Sequence, residues 1–129
     1  MNVSIGTDIV EIKRIKRLIE KYRDKEFINR IFCDEEIEYC NKKGSAGIQC
    51  YAARFAAKEA AAKALGTGFG NKCGFNEICI LNKESGEPYI VLTGTAEKTF
   101  KERHGCNMEV SMSHCREYAT ATVIFIKGD

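Results

Sequence analysis

Glu59 and Lys63 stand four residues apart in a run that is mostly alanine, YAARFAAKEAAAKAL over 51–65. That spacing puts a carboxylate and an ammonium on one face of a helix, in the favoured Glu-before-Lys order. Such a pair can be a solvent-facing ion pair, worth roughly a few tenths of a kcal/mol. It can also be a carboxylate for a metal or a proton beside a cation for an anionic substrate. Arg54 and Lys58 belong to the same run, and four long polar side chains stand out against eight alanines. Asp8 is the second carboxylate of interest, between Thr7 and Ile9 in a strand-like alternation. A strand carboxylate either faces water at an edge or, when buried, needs a partner or a metal. Spacing alone does not pair Asp8 with Glu59, since fifty residues lie between them.

His114 lies between Ser113 and Cys115. Adjacent strand residues point to opposite faces, so a Cys–His nucleophile is disfavoured. A ligand contact at a strand end is the better reading. His104 is expected in the last turn of its helix, where an imidazolium is favourable. Gly66 and Gly68 open a glycine-rich loop, 66–74. Phosphate-binding glycine loops precede a helix, whereas this one follows one, so a helix stop and turn is the simpler reading. The seven cysteines are odd in number and contain no C-x-x-C. This argues against a secreted disulfide framework and a zinc site. Reduced, mostly buried thiols acting as small hydrophobes are expected.

The elements that must position these groups can be read from periodicity. Val3, Ile5, Thr7 and Ile9 alternate with Ser4, Gly6 and Asp8, a strand with Asp8 opposite the apolar set. Ile12, Ile15, Ile19 and Tyr22 form one stripe of a helix whose remainder is basic. Segment 11–25 has seven basic against three acidic residues, and Arg14, Arg17 and Lys21 share a face. A short helix runs from Asp34 through Cys40 with an acidic first turn, 41–48 is a loop, and the alanine run is the next helix. Segments 77–81 and 88–93 form a hairpin, Thr95 caps a helix ending at Gly105, and strands follow at 108–113 and 118–126. The last strand is apolar or small on both faces. It is either central, with helices on one side, or has an outer face that meets another subunit. The fold class is α+β, a mainly antiparallel sheet packed with helices.

The chain has 129 residues, 44% hydrophobic and 29% charged, which suits one domain over 1–129. Twenty basic against eighteen acidic residues does not resemble a dedicated nucleic-acid binder. No stretch approaches the roughly 18 apolar residues of a membrane span. The start lacks a signal-peptide plan, so a soluble cytoplasmic protein is expected, with neither nucleic acid nor membrane as partner.

Four stretches in this order, Gly6-Thr7-Asp8-Ile9-Val10-Glu11-Ile12, Arg54 to Ala60 with Lys63 to Gly68, Gly86-Glu87-Pro88-Tyr89, and Ser111-Met112-Ser113-His114 with Glu117-Tyr118-Ala119, span nearly the whole chain. Together they closely resemble the bacterial holo-acyl-carrier-protein synthases, the small phosphopantetheinyl transferases. The resemblance implies the 4′-phosphopantetheinyl transferase-like fold. It also implies transfer of 4′-phosphopantetheine from coenzyme A to a serine of apo acyl carrier protein, releasing adenosine 3′,5′-bisphosphate for fatty acid biosynthesis. By motif position it makes Asp8 and Glu59 ligands of Mg²⁺, and Lys63 a phosphate or leaving-group contact. The serine proton goes to Glu59 or to a metal-bound water. Arg54, Lys58, Gly66 and Gly68 are expected to line the nucleotide end, with Pro88 and His114 near it. Arg14, Arg17 and Lys21 are expected to dock the acidic carrier protein. The resemblance further implies a homotrimer with sites at subunit interfaces. Thr7, Met112 and Ala62 depart from the family's usual aliphatic, Ile or Val, and serine. Two other classes stand beside this reading: a docking module without catalysis, and a nucleic-acid module.

Overall fold

The computed structural model describes residues 2–21 and 26–129. Strand β1 (Asn2–Glu11) leads directly into helix α1 (Ile12–Lys21), which buries Ile12 and Ile15 and presents its basic residues outward. Tyr22, assigned by sequence to the same stripe, lies outside the described residues. Helices α2 (Glu26–Ile31) and α3 (Asp34–Asn41) follow, then the long helix α4 (Gly47–Leu65). The chain continues through the hairpin β2 (Ile78–Asn82) and β3 (Pro88–Leu92), helix α5 (Gly94–Glu102), and strands β4 (Gly105–His114) and β5 (Tyr118–Lys127).

Two antiparallel sheets result, one of order β1-β5-β4 and one formed by the β2–β3 hairpin. The last strand is therefore central, with β1 and β4 as edges. Its inner residues Ala119, Ala121, Val123 and Phe125 are buried, whereas Tyr118, Thr122 and Ile124 on the other face are exposed in the single chain. Helix α4 lies across the inner face, and small side chains let it approach closely. A Cβ at Gly6 would sit 1.9 Å from the Ala60 carbonyl oxygen, so only glycine permits this contact.

That close approach reverses the apparent faces of β1. Val3, Ile5 and Ile9 point outward and are 52%, 65% and 62% exposed, while Gly6, Asp8 and Val10 face α4. The predicted apolar face is thus the open one, and Asp8 lies on an edge strand but is turned toward the helix.

Helix α4 starts four residues earlier than alanine content predicts, because Gly47, Ile48, Gln49 and Cys50 continue the same turn pattern. Gly47 packs against the Cys40 carbonyl, where a Cβ would stand 3.0 Å away. Cys40 and Cys50 form a disulfide there, joining the last turn of α3 to the first turn of α4. The expectation that all the thiols are reduced fails at this pair, because the α3–α4 turn brings the two Cα atoms to 5.4 Å. Cys73 and Cys79 are buried thiols as expected, but Cys106 and Cys115 are exposed. Helix α5 has Thr93, not Thr95, at its N-cap position, two residues earlier than expected and without a side-chain cap bond, and ends at Glu102. His104 lies beyond it with φ 62°, in the left-handed region, rather than within its last turn.

Candidate active site

Helix α4 carries Arg54, Lys58, Glu59 and Lys63, and its 3.6-residue pitch sorts them. Arg54 and Lys58 share one face. Glu59 and Lys63 share another, turned toward β1. Arg54 and Lys63 are nine residues apart, which is about 180° around the helix and about 13 Å along it.

On the β1 face, Lys63 Nζ donates to the Thr7 carbonyl at 2.9 Å and to Asp8 Oδ1 at 3.2 Å. The Gly6 contact with Ala60 brings Asp8 near enough to act on Glu59, joining residues that spacing alone does not pair. The Glu59 carboxyl is pushed above the usual carboxylate range, first by burial and then by the Asp8 charge, with Lys63 and Arg14 opposing. Two facing carboxylates, one already disfavoured as an anion, offer the oxygen donors a hard divalent cation takes. The structure thus supplies a donor set that fits Mg²⁺. Arg14 and Arg17 are exposed on α1, and Arg14 lies near enough to act on Glu59. Arg17 pairs with Glu11 at 3.5 Å, and Lys21 ends the helix. Gly66 caps α4 with φ 84°, and Gly68 follows with φ 62°. Both lie past Lys63, at the far end of α4 from Arg54, and so do not share Arg54's surroundings within one chain.

The opposite face opens on a cavity of about 390 Å³, lined by Arg54, Pro88 and His114 together with Tyr39, Lys43 and Asn82. Arg54 is 3% exposed, its guanidinium carbon 4.5 Å from the Tyr39 ring centroid. It donates to Asn82 Oδ1, and Asn82 Nδ2 donates to the Gly86 carbonyl at 2.9 Å, just before Pro88. His114 ends β4 on the helix-facing side, so three expected nucleotide-end residues meet here.

Lys58 does not join them. It is fully buried and forms a 2.6 Å ion pair with Glu36, also fully buried. Its Nζ donates further to the Phe75 carbonyl at 3.1 Å and to that of Ile78. Glu36 in turn accepts from the Cys33 and Ile80 amides at 3.0 and 3.1 Å. An ammonium so fully engaged has no donor for a nucleotide. Lys58 ties α3, α4 and β2 together and so holds the cavity wall, which corrects its expected place in the pocket lining. The sequence missed Glu36, Tyr39, Lys43, Gln49 and Asn82. Only the acidic first turn of α3 gave a local signal, and that signal read as a cap.

The family model that matches, over residues 4–123, is that of the 4′-phosphopantetheinyl transferase superfamily. A holo-acyl-carrier-protein synthase of Ruminiclostridium cellulolyticum is 45% identical over 129 residues, covering 100% of this chain and 96% of the relative. The crystal structure of the Neisseria meningitidis holo-acyl-carrier-protein synthase superposes with a TM-score of 0.88 at 36% identity, covering 96% of this chain and 98% of that one. The Helicobacter pylori holo-acyl-carrier-protein synthase in complex with coenzyme A gives 0.81 at 32% identity, covering 95% and 99%.

Proposed function

The chain belongs to the 4′-phosphopantetheinyl transferase superfamily, as a holo-acyl-carrier-protein synthase, and from that premise we propose how its residues transfer phosphopantetheine from coenzyme A to a carrier serine. The observation that carries the mechanism is the convergence of Asp8, Glu59 and Lys63 at the β1–α4 contact. Asp8 and Glu59 would hold Mg²⁺, which supplies neutralisation of the diphosphate charge when bound. Lys63, already anchored on Thr7 and Asp8, holds a phosphate oxygen and offers a proton to the departing one. The serine oxygen attacks the phosphorus next to the pantetheine. Its bond to the bridging oxygen breaks, and adenosine 3′,5′-bisphosphate leaves. The serine proton passes to Glu59 or to a water at the cation site. Arg54, Pro88 and His114 receive the nucleotide, and Gly66 and Gly68, which lie apart from that cavity in the same chain, would line the nucleotide end only from a neighbouring copy. Arg14, Arg17 and Lys21 steer the acidic carrier toward Glu59.

The two faces of α4 cannot meet on one coenzyme A within a single chain, because the helix stands between them. A second copy resolves this. The open sheet face of Val3, Ile5, Ile9, Tyr118 and Ile124 supports a homotrimer in which one copy's carboxylates meet its neighbour's Arg54 cavity. Among the described residues no helix is long and apolar enough to cross a membrane. A cytoplasmic role in fatty acid biosynthesis fits this reading. The test is intact-mass spectrometry of apo carrier protein with coenzyme A and Mg²⁺. One added phosphopantetheine, lost on adding EDTA, is expected. Transfer undiminished by EDTA would overturn the metal assignment, and no transfer from a folded oligomer would overturn the reaction.

A further inference from the structure

Among the described residues, two buried side-chain polar atoms lack a hydrogen-bond partner, Gln49 Oε1 and Arg54 Nε. Both residues line the same cavity. Buried polar groups are nearly always satisfied, so an enclosed acceptor and an enclosed donor without partners, on two residues of one cavity wall, mark groups that a small side-chain rotation offers to a ligand. Their placement on the helix adds direction. Ala46, Cys50 and Ala53 share the cavity-facing stripe, with Gln49 on one flank and Arg54 on the other, about 140° apart around the axis. Pro88 and Met112 also line the cavity. Small and apolar walls with polar groups at the margin suit a flat heteroaromatic ring read along its edge.

Resting on the coenzyme A reading above, we infer that Gln49 is a specificity residue whose side-chain oxygen accepts a hydrogen bond from the 6-amino group of adenine. Phosphates at neutral pH only accept, so the nucleotide end has two kinds of donor to offer, the ring amine and the ribose hydroxyl. The amine belongs to the part that fits between apolar walls. Lys43 and Arg54 supply the cationic side of the cavity for phosphate, with His114 as a further polar group on the wall. The open amide of Gln49 then selects adenine over purines without that amine.

The test is calorimetric binding of adenosine 3′,5′-bisphosphate and of its analogue carrying hydrogen in place of the 6-amino group. Wild type, Gln49→Leu and Gln49→Glu are compared in the assembled oligomer. Wild type should prefer the amine about tenfold, the loss expected when one buried acceptor goes unmet. Gln49→Leu, matched in size but without an acceptor, should bind both equally. Gln49→Glu, which keeps an acceptor and checks folding, should retain the preference. A preference that persists in Gln49→Leu, or is absent from wild type, overturns the assignment while leaving phosphopantetheine transfer intact. Failure of wild type to bind either nucleotide, with no transfer to the carrier, overturns the functional reading and this inference with it.

Discussion

Lys58 and Glu59 are neighbours in sequence and opposites in surroundings. The Lys58 ammonium is wholly enclosed, with a carboxylate and two carbonyls taking its donors. The Glu59 carboxylate is half-buried beside another carboxylate and is harder to ionise for it. On one face of α4 charge is satisfied inside the protein and serves as scaffold. On the other, two carboxylates share a partly buried site that Lys63 and Arg14 only partly offset, which suits the proposed cation and substrate. The difference shows that residue type alone does not mark a site. What marks the proposed site is a carboxylate that burial and a like charge hold back from ionising, with nearby cations offsetting only part of that.

The contrast can be broken most severely at its catalytic end. Glu59→Ala should lower the transfer rate about a thousandfold or more while leaving thermal stability unchanged or raised, since it removes a poorly solvated carboxylate. Parallel rate and melting measurements check this; a collapse in melting temperature would make Glu59 a scaffold residue like Lys58. Lys58→Met should behave in the opposite manner. It leaves Glu36 buried and unpaired, costing about 3–5 kcal/mol in urea unfolding. Adding Glu36→Gln should recover much of that loss. A stable Lys58→Met protein with a raised KM for coenzyme A would return Lys58 to the pocket lining.

Gly6→Ala tests the geometry that joins the carboxylates. Its Cβ would press on the Ala60 carbonyl, so β1 must part from α4, at a cost of about 3 kcal/mol and with Asp8 drawn away from Glu59. Chemical unfolding and transfer rate should fall together. Titration gives the smallest and most specific effect. In metal-free protein the Glu59 carboxyl should titrate above the ordinary carboxylate range. Asp8→Asn should lower its midpoint and Lys63→Met should raise it, as followed by carboxyl NMR. Because the folded pKa is raised, this group's contribution to stability is present when it is protonated. It is lost as pH rises through that folded pKa.

Much of this arrangement was legible in the sequence. The alanine run gave α4, and a strand without a polar face allowed the central position of β5, one of the two readings it left open. The four long polar residues of α4 were visible as exceptions in a plain background. The outward turn of Val3, Ile5 and Ile9 was not, because hydrophobic alternation indicates two faces without saying which one meets the helix. The absent side chain of Gly6 decides that. Nor was the burial of Lys58, whose partner Glu36 lies on a different helix. The Cys40–Cys50 bond depends on a turn whose geometry has no local sequence signature. Gln49 is an ordinary polar residue until the fold leaves its oxygen without a donor.

In the proposed function the two faces of α4 act on one substrate only across a subunit boundary, and mixing inactive variants tests this most directly. Glu59→Ala and Arg54→Met should each be nearly inactive alone. Unfolded together and reassembled in equal amounts, they should regain activity at roughly a quarter of the sites, those pairing one variant's intact carboxylates with the other's intact cavity. A mixture that never exceeds the sum of its two parents would place the whole site within one chain and contradict the account.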